Sequence, residues 1–186
     1  MVNKFKTPIF RVSFPSVFEA TSMQENGPKK YSLAGIWEPG LFTSVEKGLW
    51  KAILDACDEV SVSAFKKKIA ALPANYKRPI RDGEEKADLG GYGPGKMFAT
   101  MSSKMRPGLV DIAGHPITDP DDFYPGCYAR ATVTMYSYNK GGGMGVALGL
   151  QNLQKVRDGD RLDSRTDAAD DFGDDIEEDD RDPLDD

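Results

Sequence analysis

Charged residues of opposite sign occupy two different regions of this sequence, and this division limits where a fold can form. Residues 158–186 contain fifteen Asp and Glu and three Arg, a net charge of −12. Residues 1–157 contain 21 Lys and Arg and 15 Asp and Glu, a net charge of +6, so the two regions sum to the overall −6. The large apolar residues of the final seventeen positions are Phe172, Ile176 and Leu184. So little apolar surface cannot offset chain entropy. We therefore expect one folded cationic body at 1–157 and a disordered acidic tail at 158–186.

The composition of the whole chain favours short strands and tight turns. Glycine (19) and proline (12) are frequent and follow no fixed period, as in folds built of many strands. Cys57 and Cys127 form neither a disulfide framework nor a paired metal site, so we expect a reducing cytoplasm, no metal and no cofactor. No run of about 18 apolar residues is present, which excludes a spanning helix. Because charged residues interrupt the apolar residues among positions 1–15, we expect no signal peptide.

Apolar residues that alternate with polar ones predict several strands. Such alternation occurs at 10–14, 31–37, 97–101, 128–138 and 144–150. In the first of these strands, Phe10, Val12 and Phe14 are expected to face the core. The glycines at 141–143 are expected to form a hairpin turn between the last two strands.

The segment 128–138 has the clearest alternation, and its two faces differ in chemistry. One face is small and apolar: Ala129, Ala131, Val133 and Met135. The other is aromatic, hydroxylic and cationic: Tyr128, Arg130, Thr132, Thr134, Tyr136 and Tyr138. Cross-strand Tyr and Thr pairs stabilise sheets, and aromatic faces with nearby cations bind nucleic acid. Both explanations remain open, and the second is favoured.

A helical insertion is predicted at about 43–72. Thr43 and Glu46 have the spacing of a capping box. One apolar stripe comprises Val45, Leu49, Ala52, Ile53 and Ala56, and a second comprises Val60, Ala64, Phe65, Ile69 and Leu72. Pro73 is expected to end the helical part. The lysines at 66–68 are either a solvated helix face or a DNA-facing cluster.

About five strands with a helical insertion predict a mainly β fold, an OB-type five-stranded barrel, whose outer face commonly binds single strands. The cationic candidates, expected to follow phosphates, are Lys29, Lys30, Lys77, Arg78, Arg81, Lys96, Lys104, Arg106 and Arg130. The aromatic candidates, expected to stack on unpaired bases, are Tyr31, Trp37, Tyr92, Phe98, Tyr136 and Tyr138. Each aromatic residue taken alone fits a core position equally well, Trp37 and Phe98 in particular.

The sequence also resembles a family of bacteriophage and prophage proteins in three motifs, at 79–83, 123–130 and 149–159. That family consists of OB-fold single-stranded-DNA-binding proteins. The resemblance implies sequence-independent binding of single-stranded DNA in phage DNA replication, recombination and repair, inside the infected bacterial cell. It also implies an acidic tail that contacts replication proteins such as a polymerase, a helicase or a primase. Homo-oligomerisation is left open.

Other functions compete with this hypothesis. The carboxylates of Asp82, Glu84, Glu85 and Asp88 have the chemistry of a two-metal nuclease site, but the interspersed Arg81 and Lys86 favour a solvated turn. We therefore expect no catalytic residue and no enzymatic activity, and His115 is placed in a loop. An acidic-tailed interaction factor, or a DNA mimic, is the third possibility, although the charge of the body opposes it. The tail itself is either a solubility segment or an interaction arm.

Overall fold

The computed structural model describes residues 3–22, 24–141 and 143–163. The bounds of the strands are β1 Phe5–Lys6, β2 Phe10–Thr21, β3 Lys30–Trp37, β4 Tyr76–Lys77, β5 Arg81–Asp82, β6 Met97–Ser103, β7 Gly108–Val110, β8 Tyr128–Lys140 and β9 Gly143–Arg157. A helix, α1, spans Ser44–Phe65 between β3 and β4. Within these described residues no helix is both long enough and apolar enough to cross a membrane.

Five of the strands close into a barrel. β2 pairs with β3, β3 with β6, and β8 with both β9 and β2, all antiparallel. β6 and β9 run parallel and complete the ring. The short strands extend it, because β1 pairs with β8, β5 with β6, and β4 and β7 with β9. The predicted mainly β fold, an OB-type barrel with a helical insertion, is therefore confirmed.

The inward faces of the barrel strands form the core. Ala129, Val133, Leu148 and Leu150 are at most 1% exposed, as the alternation of β8 and β9 predicts. Gly35 also faces inward, where an added Cβ would lie 2.9 Å from the Phe10 ring and 3.0 Å from the end of Met101. These distances are too short for a side chain, so glycine is needed for the barrel to pack this tightly.

The capping box predicted at the start of α1 is present. The Glu46 backbone N–H donates to the Thr43 hydroxyl, and the Glu46 carboxylate accepts from the Thr43 backbone. The predicted buried face is partly wrong, because Val45 is 73% exposed. The buried positions of α1 are Ile53, Ala56, Cys57 and Ser61.

The helix is shorter than predicted. It ends at Phe65 because Lys66 adopts the left-handed conformation, with φ of 62°. The Ser61 hydroxyl donates to the Lys67 carbonyl at 2.6 Å, and the Asp58 carboxylate accepts from the Ile69 N–H at 2.9 Å. These two bonds hold the chain in a turn, and a separate short 3₁₀ segment, Ile69–Ala71, follows.

The alternation of β2 is broken by a bulge. Ser13 lies opposite Ala34 and Ser16 lies opposite Ser32, so two residues of β2 oppose the single residue between them on β3. Phe14 lies in this bulge with φ of 46° and is 61% exposed. The prediction that Phe14 faces the core is therefore wrong.

Candidate nucleic-acid interface

A row of small and hydroxyl-bearing residues crosses the outer surface of the barrel. The register places one such residue on each barrel strand, each directly opposite the next. In order from β2 to β8 they are Ser16, Ser32, Ser102, Gly149 and Thr134. We refer to these five residues as the hydroxyl row. The row alternates along each strand with the inward residues of the core, so it faces away from the barrel interior.

A groove of about 320 Å³ lies over the β6, β9 and β8 part of the hydroxyl row. Its walls include Lys30, Lys104, Tyr136 and Gln151. Gly149 shapes the floor, because an added Cβ would lie 2.6 Å from the Thr134 hydroxyl and 3.7 Å from the Tyr136 ring. The absence of a side chain at this position leaves space beside the aromatic wall.

Two of the predicted stacking residues lie together on this surface. Tyr136 is 38% exposed, and its ring centroid is 6.5 Å from that of Tyr138. Partial burial, followed by the proximity of Tyr136, raises the pKa of the Tyr138 hydroxyl. This phenol is therefore neutral at physiological pH. The pair offers uncharged aromatic surface next to the groove.

The predicted cations fall into two groups. Lys30 and Lys104 line the groove, and Lys29 is exposed beside Lys30. Lys77 lies in β4, which pairs with the start of β9, and its ammonium would be 3.9 Å from a Cβ on Gly143, close to Tyr138. These residues place positive charge around the aromatic pair.

The remaining predicted arginines make contacts within the protein. Arg78 donates to the Leu72 carbonyl at 2.9 Å. Arg81 forms an ion pair with Glu85, Arg106 lies 5.9 Å from the Phe18 ring centroid, and Arg130 donates to Gln154 at 2.7 Å. Arg130 is nevertheless exposed on the outer face of β8, so one hydrogen bond leaves most of its guanidinium accessible.

Three of the predicted stacking residues are buried, and those predictions are wrong. Trp37 is 1% exposed, and its indole N–H donates to the Pro8 carbonyl at 3.1 Å. Phe98 is 1% exposed and Tyr92 is 7% exposed, and the two rings pack edge to face. The Tyr92 hydroxyl bonds to the Ser13 hydroxyl at 3.1 Å.

Trp37 is buried because it shares the inward alternation of Leu33 on β3 and packs edge to face on Phe10. Tyr92 and Phe98 are buried because the segment between β5 and β6 folds over one end of the outer face. Tyr92 comes from this segment and covers Phe98 and Ile36, which alternation places outside the barrel. Tyr31 is half-buried and shares the alternation of the inward Leu33, so it lies at the barrel rim and not on the hydroxyl row. Lys96 is half-buried in a second cavity.

That second cavity, of about 270 Å³, lies at the covered end of the barrel. Its wall includes Tyr128, over whose ring the Arg157 and Arg11 guanidinium groups lie at 4.2 and 5.9 Å. Arg11 also donates to the Asp160 carbonyl at 2.6 Å. Neither Arg11 nor Arg157 was among the candidate cations. Each lies in a strand that was identified by its alternating apolar residues, and its charge was not considered further.

Residues 158–163 continue along the body, and we call this segment the strap. The Asp158 carboxylate pairs with Lys155 at 2.7 Å and accepts from the Tyr124 hydroxyl at 2.9 Å. These two hydrogen bonds hold the pKa of Asp158 below its usual value. The Leu162 N–H donates to Pro125, and its side chain packs on the small cluster of Ile36, Tyr92 and Phe98.

Contacts with the barrel therefore continue past Arg157 as far as Leu162, and the domain boundary at 157 stays a prediction. The rest of the predicted tail, 164–186, lies outside the described residues.

In the acidic cluster considered for a nuclease site, two carboxylates interact with neighbouring residues. The Asp82 carboxylate caps the Glu84 N–H, and Glu85 pairs with Arg81. In the part of the chain that the structure describes, no three His, Cys, Asp or Glu residues are placed to hold a metal ion. His115 is exposed and lies 3.7 Å from Asp111 in a turn.

The lysines at 66–68 belong to the turn after α1 and are exposed. They are outside the five strands that carry the hydroxyl row.

Comparison with known proteins gives consistent results. The Putative protein p50 of Acyrthosiphon pisum secondary endosymbiont phage 1 is 31% identical over 161 residues, which is 84% of this chain and 85% of that protein. The structure of the single-stranded DNA-binding protein from bacteriophage Enc34 in complex with ssDNA superposes with a TM-score of 0.71 at 16% identity, over 86% of this chain and 89% of that one. The bacteriophage T7 single-stranded DNA binding protein gp2.5 gives 0.60 at 15% identity, over 96% and 97%.

These two structures share the fold of this chain at low sequence identity. A family model also matches the chain over residues 3–182, which is nearly the whole sequence. It confirms the resemblance to phage proteins of this kind. The chain belongs to the family described as the ssDNA-binding protein of Enterobacter phage Enc34.

Proposed function

We propose that this protein binds single-stranded DNA without sequence preference and protects it during phage DNA replication, recombination and repair. The observation that carries the proposal is the hydroxyl row, flanked by Tyr136 and by Lys30 and Lys104. The family of the chain supports the same function.

The chemistry of the groove suits an unpaired strand. Ammonium groups at its wall attract phosphates, and the Ser and Thr hydroxyls of the row donate hydrogen bonds to phosphate or sugar oxygens. Tyr136 offers a face on which any base stacks, worth about 1–3 kcal/mol per base. Bases in a duplex are already stacked and paired, so that contribution is lost. Selectivity for single strands follows from the aromatic contacts, and general affinity follows from the charge.

This function is tested by fluorescence anisotropy with labelled oligo-dT and with a duplex of equal length. We expect much tighter binding of the single strand, and a log–log salt dependence with a slope of about −0.7 per neutralised phosphate. Lys104→Gln should reduce that slope by about 0.7. Lys47→Gln is the matched control, because Lys47 is an exposed lysine on α1, and it should leave the slope unchanged. Equal affinity for the two DNA forms would contradict the proposal.

The acidic tail is proposed to compete with DNA for the groove. The segment 164–186 contains twelve Asp and Glu and two Arg, a net charge of −10. The segment follows the strap, whose Leu162 packs beside Ile36, and Ile36 is four residues, about 13 Å, from Ser32 of the hydroxyl row. Twenty-three residues reach up to about 75 Å, so the groove is well within range. A tethered polyanion at high local concentration competes with DNA for the same cations.

Truncation after Asp163 tests this competition and keeps the strap in place. We expect the truncated protein to bind oligo-dT more tightly, with the largest gain at low salt, where screening is weakest. A full-length variant with the tail carboxylates replaced by amides separates charge from length and should behave like the truncation. If all three proteins bind equally at every ionic strength, the tail does not compete.

Once displaced by DNA, the tail is proposed to recruit replication proteins, such as a polymerase, a helicase or a primase, in the cytoplasm of the infected bacterium. The truncated protein should therefore bind DNA better yet support replication less well. The alternative is an interaction factor or DNA mimic, which would bind such proteins without binding oligo-dT. The same titration separates the two.

A further inference from the structure

Phe14 has an unusual conformation and an unusual environment. Its φ of 46° lies in the left-handed region, which bulky residues rarely adopt. Its side chain is 61% exposed, although it lies in a strand whose neighbouring apolar residues are buried. Both features oppose the stability of the folded chain, and residues of this kind concentrate at functional sites.

The bulge of β2 explains how Phe14 reaches the surface. Phe14 and Pro15 together oppose Leu33, whereas Ser13 and Ser16 keep regular partners on β3. Proline is confined to bulges and edges of a sheet because it has no N–H to donate. The inserted residue removes Phe14 from the inward alternation.

The core is complete without the Phe14 ring. Val12 and Val17, on either side of the bulge, are 0% and 3% exposed and fill the inward positions of β2. An inward Phe14 ring is therefore not needed to close the barrel.

The bulge is also located at one end of the hydroxyl row. Ser16, the first member of the row, follows Pro15 directly, and Thr134, the last, is two residues from Tyr136. Four steps between neighbouring strands separate these ends, about 19 Å along the curved surface. The row thus has an exposed aromatic residue at each end, and lysines on one wall between them.

We propose that Phe14 is a base-stacking residue, which holds a second unpaired base at the β2 end of the hydroxyl row while Tyr136 holds another at the β8 end. This assignment rests on the proposed function, since it extends the same DNA path across all five strands. The left-handed backbone is the device that keeps the ring outside the barrel and available to DNA.

Phe14→Gly is the most informative substitution. Glycine adopts positive φ without a Cβ penalty, so the melting temperature should stay within a few degrees of the unmodified protein. Loss of one stacked base corresponds to about a 5- to 150-fold weaker affinity for oligo-dT. Phe14→Tyr keeps an aromatic face and should retain most of the affinity. Fluorescence anisotropy and a thermal melt provide the two measurements.

An oligonucleotide of the same length with abasic sites distinguishes stacking from other roles. The stacking role predicts that Phe14→Gly and the unmodified protein bind this strand equally, because it has the charge but no bases. The salt slope on oligo-dT should also be unchanged, since no phosphate contact is lost. An equal loss on both strands would overturn the assignment and indicate a contact to the backbone or to protein.

The outcomes separate this inference from the function on which it rests. If the unmodified protein does not bind oligo-dT, the proposed function itself fails. If the unmodified protein binds, Tyr136→Ala weakens binding and Phe14→Gly does not, then the function stands and only the assignment of Phe14 is wrong.

Discussion

Tyr136 and Phe98 have the same sequence-based prediction and opposite environments, so replacing each by alanine tests the interface directly. Both were assigned to stacking from strand alternation. Tyr136 is 38% exposed beside the groove, and Phe98 is 1% exposed beneath Tyr92. We expect Tyr136→Ala to weaken DNA binding with little effect on stability, and Phe98→Ala to do the reverse.

The structure sets the size of each effect. Tyr136 lies opposite Ala147, a small partner, and a cross-strand pair contributes about 0.2–1 kcal/mol. The melting temperature should therefore fall by only a few degrees, while the lost stack weakens binding by about 1–3 kcal/mol. Removing the buried Phe98 ring should cost about 3–5 kcal/mol of unfolding free energy. That corresponds to a fall of roughly 6–20 °C in the melting temperature.

The assay pairs a thermal melt with an oligo-dT titration for each variant, performed at about 15 °C so that Phe98→Ala stays folded. Tyr138→Ala should weaken DNA binding with little effect on stability, as Tyr136→Ala does, since the two rings are neighbours. Phe10→Ala should lower the melting temperature but leave DNA binding intact, as Phe98→Ala does, because Phe10 is 1% exposed inside the barrel.

The reasoning would be refuted by the opposite pattern. If the tyrosine variants lose their cooperative melt but bind DNA normally when folded, the outer face of β8 stabilises the sheet and does not contact DNA. If Phe98→Ala binds weakly while fully folded, then the covering segment that contains Tyr92 opens during binding.

Two further predictions concern the groove floor and the thiols. Gly149→Leu should weaken oligo-dT binding at least tenfold, because a side chain there meets Thr134 and Tyr136 and fills the groove; normal affinity in a folded variant would show that DNA does not reach the floor. Burial raises the pKa of the Cys57 thiol to about 12 and also raises that of Cys127. Both should resist a thiol reagent at pH 8 until guanidinium unfolds the chain, and stability should decline once pH exceeds the unfolded thiol value of about 8.5.

The fold was largely predictable because its barrel strands are amphipathic. The alternation of 128–138 placed Ala129 and Val133 in the core and Tyr136 outside, and the structure agrees. The capping box located the start of α1 to the residue. The end of α1 was not predictable in the same way. The helix ends at Phe65 because the side chains of Ser61 and Asp58 form hydrogen bonds with the backbone of later residues and hold the chain in a turn.

The interface was less predictable because alternation identifies the outer face of a strand but not what covers it. Phe98 is outward in β6, yet Tyr92, from the irregular segment that precedes this strand, packs on it and buries it. Phe14 was placed inside because its period matches Phe10 and Val12. Pro15 was the sequence signal for a bulge at this position, because a regular central strand does not accept proline.

The segment that contains Tyr92 and the strap both cover the barrel, and their positions explain where an open surface remains. Tyr92 and Leu162 both pack on Ile36 and Phe98, so the outer face is closed at that end of β3 and β6. Toward the other end of these strands the outward residues are Ser32 and Ser102, too small to form an apolar cluster with a covering segment. Small side chains there leave the backbone close to the surface, within reach of a strand of DNA. The pattern of outward residues therefore divides one barrel surface into a part that completes the core and a part that stays accessible for binding.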